Sequence, residues 1–333
     1  MTSRAKAEVE AALAAVAAED ASVAEKVEML MEIAIGLQAR PKSPEDLEQA
    51  VFLYNKALES CPAEHHALRG RIHARLATAL QAIPTDDPSF LKEARSNLET
   101  ARNILKHEGG PEELAEIEMN LGLVLQSLAC VQAAPITEAI AAYQRALRIF
   151  DAAAFPKEYA ILQNNLATAF LSIPFTDERA KMREALAVQA FQDGLKVVTL
   201  IDHPAEYAML QNNLGNALQY VASSHSVENC LRSLDAYDEA LKVRTRDTAP
   251  AEYANTIANY ANCLRNLPDD PAFPERGNPN NLKAALARYR EAEEIFAAGG
   301  DARKKAIVAE IIAEIEAEFA SCASVVEQAI GAQ

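Results

Sequence analysis

Pro156-Lys157-Glu158-Tyr159-Ala160-Ile161-Leu162-Gln163-Asn164-Asn165-Leu166-Ala167 returns almost residue for residue as Pro204-Ala205-Glu206-Tyr207-Ala208-Met209-Leu210-Gln211-Asn212-Asn213-Leu214-Gly215. Pro250-Ala251-Glu252-Tyr253-Ala254 opens a third copy, and Pro111-Glu112-Glu113-Leu114-Ala115 a weaker fourth. The copies recur about every 45 residues, and self-similarity at a fixed period of this size marks a stacked-repeat architecture. Each repeat in such a stack buries its apolar face only against its neighbours, so a chain of 333 residues need not be divided into globular domains.

Outward from the anchor residue that follows the asparagine, the pattern extends to six repeats. The anchors are Ile33, Leu76, Leu121, Leu166, Leu214 and Tyr260, each followed by alanine or glycine and then, four residues past the anchor, by Leu37, Leu80, Leu125, Phe170, Leu218 and Leu264. Tyr159, Leu162, Leu166 and Phe170 show the 3-4-4 spacing of one helical stripe, which defines the first helix of each repeat. Its start is marked chemically. Proline is tolerated at the first helical position, where the N–H has no intrahelical partner, and a glutamate two residues later is favoured by the helix dipole. Glu64, Glu113, Glu158, Glu206 and Glu252 therefore read as first-turn charges rather than catalytic acids.

A second helix follows in each repeat, with a large residue between two small ones: Ala50-Tyr54-Ala57, Ala94-Leu98-Ala101, Ala139-Tyr143-Ala146, Ala187-Phe191-Gly194, Ser233-Tyr237-Ala240 and Ala285-Tyr289-Ala292. Small residues let helices approach and the ring fills the space between repeats, so this stripe is read as core and not as a cofactor box. Proline-rich connections at Pro84–Pro88, Pro174–Glu178 and 268–281 are expected on one edge of the stack; the last is long enough to be either functional or disordered.

Leu-[Gly/Ala]-x-x-[Leu/Phe] followed by Ala-x-x-x-[Tyr/Phe]-x-x-Ala resembles the tetratricopeptide repeat. The usual repeat is about 34 residues, so these are long, and Gln163 and Gln211 stand where that repeat carries tryptophan. Long repeats opening Pro-x-Glu-Tyr-Ala and containing Asn-Asn-Leu-Gly are similar to bacterial repeat arrays and to the kinesin light chain group. The resemblance implies an all-α, right-handed α-solenoid of about six repeats over residues 22–297. Residues 1–21 are then expected as an N-terminal capping helix. Residues 298–333 are expected as a C-terminal one, with an apolar stripe at Ile307, Ile311, Ile315, Phe319 and Cys322.

Composition narrows the function classes. The net charge of −16 disfavours nucleic acid and anionic membrane as partners. Eleven glycines leave few places for a phosphate-cradling loop, and the chain contains no Gly-x-x-x-x-Gly-Lys-[Ser/Thr], Gly-x-Gly-x-x-Gly or His-Glu-x-x-His. Cys61, Cys130, Cys230, Cys263 and Cys322 are dispersed, which suggests reduced thiols and a cytoplasmic protein. The charged N-terminus does not read as a signal peptide, and nothing approaches a membrane span. His65, His66 and His73 make a weak cluster that fits a surface group better than a metal site. No catalytic residue, metal or cofactor is expected.

The asparagines carry the functional reading. Asn120, Asn165, Asn213 and Asn259 occupy one position in four successive repeats. Asn164 and Asn212 precede two of them, and Asn216 and Asn262 lie two residues beyond an anchor. By the resemblance, first helices line a concave groove, and these amides with Arg265 would meet a protein or peptide there. An amide offers donors and an acceptor, so it can pair with any extended backbone. The other reading is that the amides bond to one another and to neighbouring helices. A lysine or arginine clamp for a peptide carboxylate is not expected, because Arg71, Arg75 and Arg265 stand isolated. The chain is thus read as a non-enzymatic scaffold, adaptor or assembly factor. A structural subunit of a larger complex and a peptide-sensing regulator are the alternatives. The short N-terminal segment is expected to leave no room for the DNA-binding domain such regulators usually carry.

Overall fold

The computed structural model describes residues 4–174, 178–221 and 225–331, with side chains as far as residue 319. The described residues form an α-solenoid. It opens with α1 (Arg4–Ala18) and continues as six antiparallel pairs. These are α2 (Val23–Ala39) with α3 (Pro44–Ser60), α4 (His66–Ala82) with α5 (Ser89–Glu108), and α6 (Pro111–Cys130) with α7 (Ile136–Ala146). They continue with α8 (Pro156–Leu171) and α9 (Glu178–Leu195), α10 (Pro204–Tyr220) and α11 (Ser226–Leu241), and α12 (Pro250–Arg265) and α13 (Pro279–Ala298). The chain closes with α14 (Ala302–Gly331), which packs on α13. Two compact units result, Met1–Phe155 and Pro156–Gln333.

The helix starts lie where the sequence marks them. Pro111, Pro156, Pro204 and Pro250 are the first residues of α6, α8, α10 and α12. Ser22 caps α2 in a capping box: its Oγ accepts from the Glu25 N–H at 3.3 Å while the Glu25 carboxylate accepts from the Ser22 N–H at 2.8 Å. Such a box satisfies two donors that the helix end leaves without intrahelical partners. The Glu113 carboxylate likewise accepts from the Gly110 N–H at 3.1 Å, satisfying one such donor.

Within each unit successive first helices touch, α2 on α4 on α6 in one and α8 on α10 on α12 in the other. The second helices pack instead on the first helices to either side, as α9 does on α8 and α10. The first helices therefore form the crowded, inner layer of each unit. Between the layers lie the large residues of the second-helix stripe. Tyr54, Leu98, Tyr143, Phe191 and Tyr237 are wholly buried, and Tyr289 is 2% exposed. Burying each such side chain contributes about 1.5–3 kcal/mol. The small residue after each anchor makes room for them. A Cβ on Gly122 would lie 2.3 Å from the Tyr143 ring, and one on Gly215 2.6 Å from the Tyr237 ring.

Two expectations change. The 268–281 connection is a built structure. Asp269 accepts from the N–H groups of Asn280 and Asn281 at 2.9 and 2.8 Å, capping α13, and Asn281 Nδ2 donates back to the Leu267 carbonyl at 3.0 Å. A short 3-10 helix, Pro274–Arg276, ends at Gly277, whose φ of 77° suits glycine. The stripe of α14 also changes at one end: Ile315 is buried and Ile311 and Phe319 pack against the same cluster, but Ile307 does not. Val308, Ile312 and Ile315 are buried against α13 while Ile307 is 51% exposed. Val308, Ile312 and Ile315 share one face at i, i+4, i+7 spacing, and Ile307, one residue back, points about 100° away. Residues 175–177 of the 174–178 connection and the side chain of Cys322 lie outside the described residues.

Candidate functional site: a relay of asparagine amides

The 3.6-residue period places Asn164 and Asn165 of α8, Asn212, Asn213 and Asn216 of α10, and Asn259 and Asn262 of α12 on the inner layer of the second unit. Five of these amides are joined head to tail. Asn259 Nδ2 donates to Asn212 Oδ1 at 3.3 Å, and Asn212 Nδ2 to Asn213 Oδ1 at 2.9 Å. Asn213 Nδ2 then donates to Asn164 Oδ1 at 2.7 Å, and Asn164 Nδ2 to Asn165 Oδ1 at 3.2 Å. The relay crosses three successive first helices. Asn164, Asn165 and Asn212 are buried, whereas Asn213 and Asn259 are half-buried. An amide has two N–H donors and two acceptor lone pairs. Asn213 uses one of each within the relay, which leaves an N–H and a lone pair for another group.

The remaining predicted residues are placed otherwise. Asn216 Oδ1 accepts from the Tyr237 hydroxyl at 2.7 Å. Asn262 Nδ2 donates to Gln219 Oε1 at 2.6 Å and to the Tyr220 hydroxyl at 3.0 Å. Asn120 lies half-buried on α6, in the first unit. Arg265 is held by α14, donating to Glu314 and Glu318 at 3.0 Å each. It therefore reaches a partner only by giving up that ion-paired contact.

Sequence reasoning missed a second set of polar contacts. Tyr54 donates to Gln38 Oε1 at 3.2 Å and Tyr143 to Gln126 Oε1 at 2.9 Å, as Tyr237 does to Asn216. Burial pushes the Tyr54 hydroxyl up to about 12 and those of Tyr143 and Tyr237 higher, so each stays a donor. Each bond bolts a second helix to the first helix of its own repeat. The signal was available: glutamine recurs five residues past the anchor at Gln38, Gln81, Gln126 and Gln219. The hydroxyl of Tyr289 is buried with no partner among the described residues.

The other candidates resolve into local contacts. His73 Nδ1 lies 2.7 Å from Asn97 Oδ1. Arg71 bonds to Glu113 at 2.6 Å, joining α4 to α6, and this bond holds the Glu113 carboxyl below the usual range. Cys61, Cys130, Cys230 and Cys263 are free thiols, and Cys263 Sγ donates to the Cys230 carbonyl at 3.2 Å. No described helix is long and apolar enough to cross a membrane.

No family model matches this chain, and no curated protein matches it. Solved structures do. BtubC (BKLC) from P. vanneervenii matches over 81% of this chain and 92% of its own, at 18% identity and a TM-score of 0.51. The quorum sensor NprR from B. thuringiensis matches over 94% and 87%, at 12% identity and 0.47. The Rap protein complexed with competence and sporulation factor matches over 93% and 80%, at 11% and 0.46. The first likeness is one of fold. The chain has the tetratricopeptide-like architecture that its repeats imply.

Proposed function

We propose that this chain is a non-enzymatic, cytoplasmic scaffold, adaptor or assembly factor that receives an extended protein segment on the inner layer of its second unit. The observation that carries the reading is the amide relay. Asn213 and Asn259 are fixed by their neighbours, stay half-exposed and retain unused hydrogen-bonding capacity. Groups held in place in advance lose little freedom on binding. Asn164, Asn165, Asn212, Asn216, Asn262 and Arg265 complete the proposed surface, and Asn120 holds the corresponding position in the first unit. In this reading residues 1–21 and 298–333 cap the six repeats of 22–297.

A second reading has specific support, because the amides bond to one another. The relay would then fix the register of three first helices in a structural subunit of a larger complex. Replacing Asn165 and Asn213 together by alanine separates the two. Pull-down from lysate of the source cell and thermal unfolding are measured on the same preparations. Loss of the captured partner with a modest fall in melting temperature supports the binding surface. Full capture with reduced stability supports the brace and ends the binding proposal. Losing a bond to a buried amide is worth about 1–3 kcal/mol, which both measurements resolve.

A further inference from the structure

The first unit contains a pocket of a different chemistry. It is a cavity of about 620 Å³ between the last turns of α5 and α7, floored by α6. Four cations line it, Arg102, Lys106, Arg145 and Arg148, against one carboxylate, Glu118. The contrast with the whole chain is sharp, since acidic residues outnumber basic ones 48 to 32. A solvated helix face in such a protein would carry mostly acids; here the balance is inverted.

The pocket is also constructed. Glu118 is 8% exposed and bonds both oxygens to Arg145, at 2.8 Å each, with Arg102 3.7 Å away. A bidentate pair fixes the plane of a guanidinium. Glu118 can neutralise one of its neighbours, and three positive charges remain. Lys106 and Arg148 are exposed and have no partner among the described residues. The rest of the lining includes Leu114, Ala115 and Ile149. A bare inorganic anion would satisfy the cations and leave this apolar floor wet. A ligand that carries an apolar group beside its charge covers both.

We infer that this pocket binds a carboxylate borne next to an apolar group, supplied by an acidic peptide segment or by a small amphipathic acid. Lys106 and Arg148 hold the anion, Arg145 is held in place by Glu118, and Leu114 and Ile149 meet the apolar part. The size suits such a ligand, since small-molecule sites occupy roughly 300–1,000 Å³. The inference is independent of the amide relay, which lies on other helices.

Isothermal titration of the full chain tests it, with two probes: a short peptide alternating glutamate and leucine, and octanoate. Saturable binding of either supports the inference, and the probe that binds more tightly identifies the source of the carboxylate. The double variant Lys106→Gln, Arg148→Gln should bind at least about tenfold more weakly, as expected when charge-assisted bonds are lost. Its melting temperature should be unchanged, because neither side chain supports the fold. Affinity should also fall as salt is added. The inference is overturned if neither probe saturates or if the variant binds as well as the parent. It is equally overturned if a peptide alternating glutamine and leucine binds as tightly as the acidic one.

Discussion

Gly122 lacks a side chain because the ring of Tyr143 occupies the space where one would stand. Glycine follows the anchor in the repeats of Tyr143 and Tyr237, whereas alanine follows it in those of Tyr54, Leu98, Phe191 and Tyr289. Gly122→Ala should therefore destabilise the protein by about 1–3 kcal/mol, the usual penalty for overfilling a close-packed core. A Tyr143→Leu background should recover part of that loss, and urea unfolding of the two variants measures it. The ion pair of Arg71 and Glu113 makes a second test at this scale. The carboxyl is depressed by its bond to Arg71, so its contribution is present above the ordinary glutamate range. That contribution is lost as pH falls through the depressed value. Arg71→Leu should flatten this part of the acid limb in a pH series of melting temperatures, and an unchanged limb would show the pair to be inert. Residue identities alone revealed where the asparagines recur. They could not decide that five of the amides bond to one another, because an amide carries both donors and an acceptor and suits many partners. The ion pairs of Arg265 were illegible for a different reason: Glu314 and Glu318 lie far along the chain, and only the packing of α14 brings them to it.

Helix starts were the most legible elements, because proline at the first position and glutamate in the first turn act through the backbone of the helix they open. Connections were less legible. The 268–281 segment has the composition of a disordered loop, yet Asp269 turns it into a cap for α13. Asp269→Ala should cost about 0.5–2 kcal/mol, the range for losing an N-terminal capping side chain, read as a lower denaturant midpoint. Deleting most of the segment should cost at least as much, and a neutral deletion would show that the cap is dispensable. The closing helix makes the other test. Removing residues 301–333 uncovers Leu286, Ile295 and Phe296, which pack in one cluster with Val308, Ile312 and Ile315. The truncated protein should melt earlier and self-associate in light scattering, since a newly exposed apolar face seeks cover. A monomer of unchanged stability would remove the capping role from α14.

For the whole molecule, the repeat period settled the architecture from sequence, because every copy solves the same packing problem with the same residues. It did not disclose the division at Phe155–Pro156, which no composition shift announces. Nor did it disclose the basic pocket, whose cations come from α5, α7 and the turn that follows α7 and form no sequence motif. The amide relay has one more property. All its bonds run the same way, each amide N–H donating onward from Asn259 toward Asn165. The row therefore ends in a carbonyl on α12 and in N–H groups on α8. A backbone laid along it meets opposite polarity at the two ends. In the proposed binding role the row would distinguish the two directions in which an otherwise identical strand can lie, before any side chain of that strand is read.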